Sequence, residues 1–213
     1  GCVVCEKLNV GSVYVQWGRK SCTNSHKREY YGVIMAQHYG QQKSEYICVD
    51  WERAYHKENS NGNQNGALLY TTEMERGSAD EKAYPHDHEV SCAVCSSSLF
   101  VYTRWGSKSC YSKDTKLYDS FMASSHYTHQ GSGYNALCMH PQGQKPPGTH
   151  GGSQNGALLY GVEYENTGAV DKNHNGDAGC VLCQRMNTAT VYVQWGRKTC
   201  TNNHNNVYYG VIM

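Results

Sequence analysis

The chain has 213 residues, 38% of them hydrophobic and 17% charged, and its 19 Lys and Arg nearly balance its 18 Asp and Glu. This balance excludes a strong global field, so nucleic acid and anionic membranes are not expected partners. No apolar stretch approaches the roughly 18 residues that a membrane-spanning helix needs, so no membrane span is predicted. The 11 cysteines, and 18 tyrosines against 2 phenylalanines, indicate that cross-links supply stability that a weak apolar core does not.

The cysteines follow a recurring pattern from the start of the chain. A CxxC pair is followed by two single cysteines, and this order returns once in full and once in part: Cys2, Cys5, Cys22, Cys48; Cys92, Cys95, Cys110, Cys138; Cys180, Cys183, Cys200. CxxC pairs also occur in zinc sites and redox proteins. Here the single cysteines lie about 26 to 28 residues apart and no helical periodicity follows the pairs. We therefore expect disulfides, with the two thiols of each CxxC bonded to different partners because a bridge across two residues is strained.

A longer repeat contains this cysteine pattern. Residues 1–35 return as residues 179–213 with 23 of 35 positions identical, and both copies contain the octapeptide VYVQWGRK. A diverged copy begins at Val101, and the heptapeptide QNGALLY occurs at 64–70 and 154–160. The predicted organisation is repeat unit one at 1–85, unit two at 86–178, and a partial third unit at 179–213 that is an assembly segment or the start of a next repeat.

Short strands joined by polar turns are predicted within each unit. Apolar and polar residues alternate at 13–17, 68–74 and 158–164, and further strands are predicted at 30–35 and 208–213. The predicted fold is all-β, with tandem disulfide-stapled antiparallel units of about 90 residues, each resembling a sandwich or barrel. Three tryptophans that end equivalent strands are assigned to the core, each before a glycine suited to positive φ: Trp17, Trp105 and Trp195.

Five ordered motifs carry a resemblance to a known family. They are VYVxWGRxxC, EYICVD at 45–50, HDHEVSCAVC at 86–95, HYTH at 126–129 before Cys138, and GALLYGVEYE at 156–165. In this combination the chain resembles the non-collagenous domain of the sponge and cnidarian short-chain collagen (spongin-type) proteins. The resemblance implies an extracellular domain of two related halves that ends in a CxxC. It also implies an association with matrix or skeletal material and no assigned catalytic activity.

Two features depart from that family. The chain contains no Gly-X-Y run, so no collagen triple helix is expected. It also begins with the CxxC that closes a preceding half and ends within another half. In the family's frame, one domain runs from about Val13 to Cys183 with eight cysteines, which leaves Cys2, Cys5 and Cys200 at its edges.

Several polar clusters have a chemical interpretation beside a structural one. Residues 171–177 resemble the start of an EF-hand calcium loop, but the twelfth position is Leu182 and no helices flank it. The His-Asp-His run at 86–88 has metal ligands, yet surface solvation is favoured. The histidine pair within 126–129 lacks its second member in unit one, and the glutamates within 73–75 are expected to face solvent. We therefore predict no catalytic residue, no metal site, no cofactor and no enzyme.

The repeats favour a structural protein whose surface matches its own continuation. The first prediction is extracellular head-to-tail assembly of the chain with itself into a filament or matrix. An equivalent interpretation is a window from a longer tandem polypeptide. The alternative is a secreted binding module, lectin-like or calcium-dependent, for which carbohydrate is left open as a partner without a supporting feature. The predicted assembly residues are Tyr192, Tyr208, Tyr209 and Ile212.

Overall fold

The protein is all-β in the computed structural model, which describes residues 4–54, 66–77, 79–149, 151–165, 174–188, 190–195 and 197–210. The strands are β1 (Ser12–Trp17), β2 (Lys27–Ala36), β3 (Ile47–Asp50), β4 (Tyr70–Met74), β5 (His88–Glu89), β6 (Ser91–Ser97), β7 (Phe100–Trp105), β8 (Thr115–Ser124), β9 (Leu137–Cys138), β10 (Ala157–Gly161) and β11 (Gly179–Arg185). The described residues contain no helix that is long and apolar enough to cross a membrane. The predicted all-β class is confirmed.

All eleven strands belong to one open sheet. Its main order is β1-β6-β2-β4-β10-β8-β11-β7, and β3 pairs with β2, β5 with β4 and β9 with β8. The prediction of a separate sandwich or barrel for each unit of about 90 residues is not confirmed, because strands from both units hydrogen-bond within the same sheet. The edges of the main order are β1 and β7.

The two QNGALLY segments explain why the units merge. β4 begins at the last residue of the first segment, and β10 contains the last four residues of the second segment and Gly161. The two strands pair in parallel, with Ala157 opposite Thr72. β4 lies between β2 and β10, and its residues Thr72, Glu73 and Met74 are fully buried. A strand that is covered on both faces needs neighbours on both sides. Here the second neighbour comes from the other unit.

The burial of Glu73 differs from the solvent-facing position expected for it. Its carboxylate accepts hydrogen bonds from the backbone N–H groups of Gln154 (2.7 Å) and Asn155 (3.3 Å), which precede β10. Burial raises the pKa of the Glu73 carboxyl, although the two N–H donors oppose the rise. Glu73 therefore ties β4 to the loop that leads into its parallel neighbour.

Four disulfides fasten loops to the two CxxC strands, β6 and β11. They join Cys22 to Cys95, Cys48 to Cys92, Cys110 to Cys183, and Cys138 to Cys180. Each CxxC sends its thiols to two different partners, as predicted. The bridges made by the second cysteine of each CxxC, Cys95 and Cys183, both span 73 residues. The same connection is therefore made twice. Disulfides of this kind are typical of secreted or extracellular proteins.

The largest core cluster lies where the two sequence units meet. It combines Ile34 and Met74 from unit one with Leu137, Met139 and Leu159 from unit two. Because these side chains come from both units, neither unit buries its apolar surface alone.

Buried tyrosines connect the units through their hydroxyl groups. Tyr46 donates its hydroxyl to the carbonyl of Leu158 at 2.5 Å, and Tyr84 donates to the carbonyl of His140 at 2.5 Å. Both tyrosines are almost fully buried. A phenylalanine would supply the apolar area but would leave these carbonyls without this donor. This requirement accounts for part of the excess of tyrosine over phenylalanine.

Candidate functional site: the carboxyl-terminal segment and the free cysteines

The residues at 190–195 and 197–210 repeat the sequence of β1 and β2 without their structure; we call them the carboxyl-terminal segment. The octapeptide VYVQWGRK at 191–198 is identical to the one that contributes most of β1. The described residues of the segment nevertheless form no strand. The strand predicted at 208–213 is not formed in 208–210, and Ile212 lies outside the described residues.

Side-chain contacts inside the segment reproduce those beside β1. The Tyr192 hydroxyl lies 2.7 Å from His204 Nδ1, and the Tyr14 hydroxyl lies 2.7 Å from His26 Nδ1. The rings of both pairs meet edge to face, with centroids 5.8 and 5.7 Å apart. The same sequence therefore makes the same local contact with or without a sheet around it.

The turn that follows the octapeptide is also formed. Gln194 Oε1 accepts hydrogen bonds from the backbone N–H and the hydroxyl of Thr201, both at 3.2 Å. Gln16 accepts from the same two groups of Thr23, at 3.0 and 2.6 Å. The two residues after each threonine have positive φ, between 52° and 56°. Asn and Ser tolerate this conformation in turns, so the turn depends on its own residues.

The segment differs from β1 in having no paired strand among the described residues. β1 pairs with β6 along its 6 residues, and Tyr14 and Trp17 are half-buried there. At the equivalent places in the segment, Tyr192 is 51% exposed and Trp195 is 70% exposed. Because the octapeptides are identical, the neighbouring strand and not intrinsic propensity decides between strand and loop.

The end of the segment packs against the edge of the sheet. Tyr208 lies on a small apolar cluster of β7 and β11, and its hydroxyl donates to the carbonyl of Thr103 at 3.4 Å. The Arg104 guanidinium lies 5.8 Å from the centroid of the Tyr208 ring. Burial raises the pKa of Tyr208. The next residue, Tyr209, is mostly exposed.

Two of the eleven cysteines predicted to form disulfides are not bridged within the single chain. Cys5 and Cys200 carry free thiols, because the other eight described cysteines are paired with one another. Cys5 is exposed, and the Cys200 thiol lies 3.7 Å from the carbonyl of Asn205. Cys2 lies outside the described residues.

The core assignment holds for one tryptophan in part and is wrong for the other two. Trp17 is half-buried beside the main cluster, and its carbonyl accepts a hydrogen bond from the N–H of His140 at 3.0 Å. Trp105 is 42% exposed because it ends the edge strand β7, and Trp195 is exposed because its segment is unpaired. The glycines after Trp17 and Trp105 have φ of 86° and 70°, as predicted.

A cluster of histidine and tyrosine rings surrounds the pair predicted at 126–129. The rings of His126 and His129 are 5.1 Å apart, and Tyr160 lies 4.9 and 5.5 Å from them. Tyr39 of unit one lies 5.0 Å from His129. Burial lowers the pKa of His129 and raises the pKa of Tyr160 to about 12. Rings in this arrangement fit packing between the two units.

One group of side chains has the spacing of metal ligands. Atoms of Glu75, His86 and Asp87 lie within 4.8 Å of one another, with His86 Nδ1 at 3.1 Å from a Glu75 oxygen. His88 is not part of the group, and its Nδ1 donates to the carbonyl of His86 at 2.8 Å. Burial raises the pKa of Glu75, and His86 opposes the rise. The calcium-loop-like stretch at 171–177 falls partly outside the described residues.

Comparison with known protein families found no family model that matches this chain. A search of curated proteins found no match either. The resemblance to the short-chain collagen domain therefore stays a prediction, and the site is interpreted from its geometry.

Proposed function

We propose that this chain is an extracellular structural protein that assembles head to tail with itself into a filament or matrix. The observation that carries the proposal is the carboxyl-terminal segment, which has the sequence and the local contacts of β1 but no paired strand among the described residues. An unpaired copy of a strand and its turn matches a surface that the same protein contains.

Head-to-tail geometry is supported by the kind of strand that the octapeptide pairs with. In β1 it pairs with the CxxC strand β6, and every copy of the chain contains CxxC sequences. The two surfaces in such a contact are different, so the contact is heterologous. A heterologous contact that does not close on itself produces a filament.

The side chains of the segment are suited to an interface. Tyr192, Trp195 and Tyr209 are each at least half exposed. Tyrosine and tryptophan are enriched at interfaces because they combine a large apolar area with a hydrogen-bonding group. The formal net charge of +1 opposes self-association only weakly.

The extracellular location is supported by the covalent framework. Four disulfides in a chain of this length are typical of proteins from an oxidising compartment, where such bonds form and persist. The resemblance to a matrix-associated collagen family points the same way.

The test compares the full chain with a double variant, Tyr192→Asp with Trp195→Asp, by light scattering and negative-stain imaging over a range of concentrations. The full chain should form filaments, and the double variant should remain a monomer of 23.8 kDa. Tyr127→Asp is the matched control because Tyr127 is 91% exposed and lies outside the segment. This control should assemble like the unmodified chain.

A version that ends at Cys183 provides a second comparison. It keeps all four disulfides but lacks the segment, so it should be soluble and monomeric where the full chain polymerises. The proposal is wrong if this version assembles as well as the full chain, or if the full chain is a stable monomer at high concentration. A secreted binding module would then be the better account.

A further inference from the structure

The two free thiols occupy positions that are bridged elsewhere in the chain. By the repeat, Cys200 holds the position of Cys22, and Cys5 holds the position of Cys95. Cys22 and Cys95 are bonded to each other, and the equivalent pair, Cys110 and Cys183, is bonded over the same span of 73 residues. Cys5 and Cys200 therefore occupy the two positions that a bridge of this kind joins.

The sequence around Cys5 is that of the strand which the carboxyl-terminal segment lacks. CVVC at 2–5 corresponds to CAVC at 92–95 in β6 and to CVLC at 180–183 in β11. β6 and β11 each lie between two strands. In contrast, residues 4–7 form no strand and Val4 is fully exposed. The described residues of this CxxC, Val4 and Cys5, thus lie in no strand, and the same chain carries an unpaired copy of the strand that pairs with such a sequence in β6.

We propose that the sequence around Cys5 of one copy adds as a strand to the carboxyl-terminal segment of a second copy, and that a Cys5–Cys200 disulfide closes this joint. The inference rests on the proposed head-to-tail assembly and specifies how successive copies are joined. β6 is the template for it: β6 lies between β1 and β2, and its Cys95 is bonded to Cys22 in the loop that joins those strands.

The register of β6 defines which residues meet in the joint. The second cysteine of its CxxC lies opposite Tyr14 of β1, and the first lies opposite Trp17. The same register sets Cys5 opposite Tyr192 of the second copy, three residues before Trp195. The joint therefore covers two aromatic residues that are largely exposed in the single chain. Burial of aromatic area and a strand ladder are the usual sources of affinity in strand addition.

The covalent step is a thiol–disulfide exchange. The Cys5 thiolate of one copy attacks a small disulfide such as glutathione disulfide, which forms a mixed disulfide and releases one glutathione thiol. The Cys200 thiolate of the second copy then attacks the Cys5 sulfur and releases the second glutathione thiol. One protein disulfide forms, one small disulfide is reduced, and the two protons lost by the cysteines end on the two glutathione thiols.

The test uses the full chain and the single variants Cys5→Ser, Cys200→Ser and Cys2→Ser in a buffer of reduced and oxidised glutathione. Non-reducing electrophoresis of the full chain should give a ladder of covalent oligomers, and mass spectrometry should find a peptide pair linked by Cys5 and Cys200. Cys5→Ser alone and Cys200→Ser alone should each give no ladder. Mixed in equal amounts, these two variants should give a covalent dimer and nothing larger, since each supplies one reactive end.

Cys2→Ser is the matched control because it removes the other cysteine of the same CxxC and should keep the ladder. Mixing isotopically labelled and unlabelled full chain should give linked peptides of mixed label, which identifies two different copies. A Cys5–Cys200 link confined to monomers, or a ladder that Cys2→Ser also abolishes, overturns the proposed joint. Light scattering separates the two proposals: assembly without this link refutes the joint alone, and a full chain that remains monomeric refutes head-to-tail assembly as well.

Discussion

Acid should destabilise the protein through His140, which lies in the seam between the two sequence units. The side chain is 3% exposed, and its ring packs 4.7 Å from the ring of Tyr118. Nδ1 accepts a hydrogen bond from the N–H of Gln142 at 3.0 Å, and the Arg19 guanidinium lies 3.4 Å from Nε2. Burial, with the positive charge of Arg19, lowers the pKa of His140 to about 4.

The direction of the effect follows from comparing the two states. An unfolded chain protonates this histidine near pH 6.5, whereas the folded protein does so near pH 4. Protons therefore favour the unfolded state as the pH falls through this window, and the loss is complete below about pH 4. The full difference corresponds to about 3 kcal/mol, of which about 2 kcal/mol should be lost between pH 7 and pH 4.5.

The assay is urea unfolding of the unmodified chain and of His140→Asn at pH 7 and pH 4.5. Asn keeps an acceptor near the position of Nδ1 but does not titrate. Between pH 7 and pH 4.5, the free energy of unfolding of His140→Asn should therefore fall by about 2 kcal/mol less than that of the unmodified chain. Glu73 and Glu75 have raised pKa values and act in the opposite direction, but they are common to both proteins and cancel. His174→Asn, at an exposed position, is the control. An equal loss of stability in the unmodified chain and His140→Asn would refute the reasoning.

Three other predictions concern stability at neutral pH. Trp17→Ala should lower the free energy of unfolding in urea by about 2 to 3 kcal/mol, because Trp17 packs on the core. Trp195→Ala, in the identical octapeptide, should change this free energy by less than about 0.5 kcal/mol. Equal effects of the two substitutions would contradict the different environments. Gly133→Ala should destabilise by about 1 to 3 kcal/mol, since a Cβ there lies 2.1 Å from the buried ring of Tyr46, while Gly66→Ala meets nothing within 4 Å and should be near neutral. The four bridges close spans of 42 to 73 residues, each worth about 4 kcal/mol, so reduction should abolish the strand signal in circular dichroism; a reduced chain that keeps this signal would contradict a dependence on cross-links.

Local features of the fold could be predicted from the sequence because they depend on neighbouring residues. The alternation at 13–17 identifies β1, and the spacing of the CxxC pairs indicates that their thiols go to different partners. The glycines after Trp17 and Trp105 have the positive φ that the turn requires. These features follow from period, strain and turn chemistry within a few residues.

The arrangement of the strands could not be predicted in this way. β4 begins at the last residue of one QNGALLY copy and β10 takes in the end of the other, and a repeated sequence does not reveal whether its copies pair with each other or with strands of their own units. The burial of Glu73 is a consequence of that pairing and was missed for the same reason.

The candidate site shows the same limit. The residues VYVQW of the octapeptide are strand in β1, whereas the described residues of the second octapeptide form no strand, and no local pattern distinguishes the two copies. The repeat in the sequence is the feature that could have identified the site. Once Cys22 is known to bond to Cys95, the repeat shows that Cys200 and Cys5 occupy the positions of these two cysteines.

The duplicated octapeptide also bears on how the protein must be made. Two identical peptides compete for one side of β6, and their chain separations from it are similar, roughly 75 and 95 residues, so loop-closure entropy separates them by only about 0.2 kcal/mol. A wrong choice would bond Cys200 to Cys95 and leave Cys22 free. At roughly 5 to 20 residues per second, synthesis presents β6 to β1 at least several seconds before residue 191 exists. The order of translation therefore selects β1 as the partner of β6, a choice that the identical sequences cannot make. Refolding from the reduced full chain lacks that order, so it will form the wrong bridge in part of the molecules unless a disulfide isomerase corrects it.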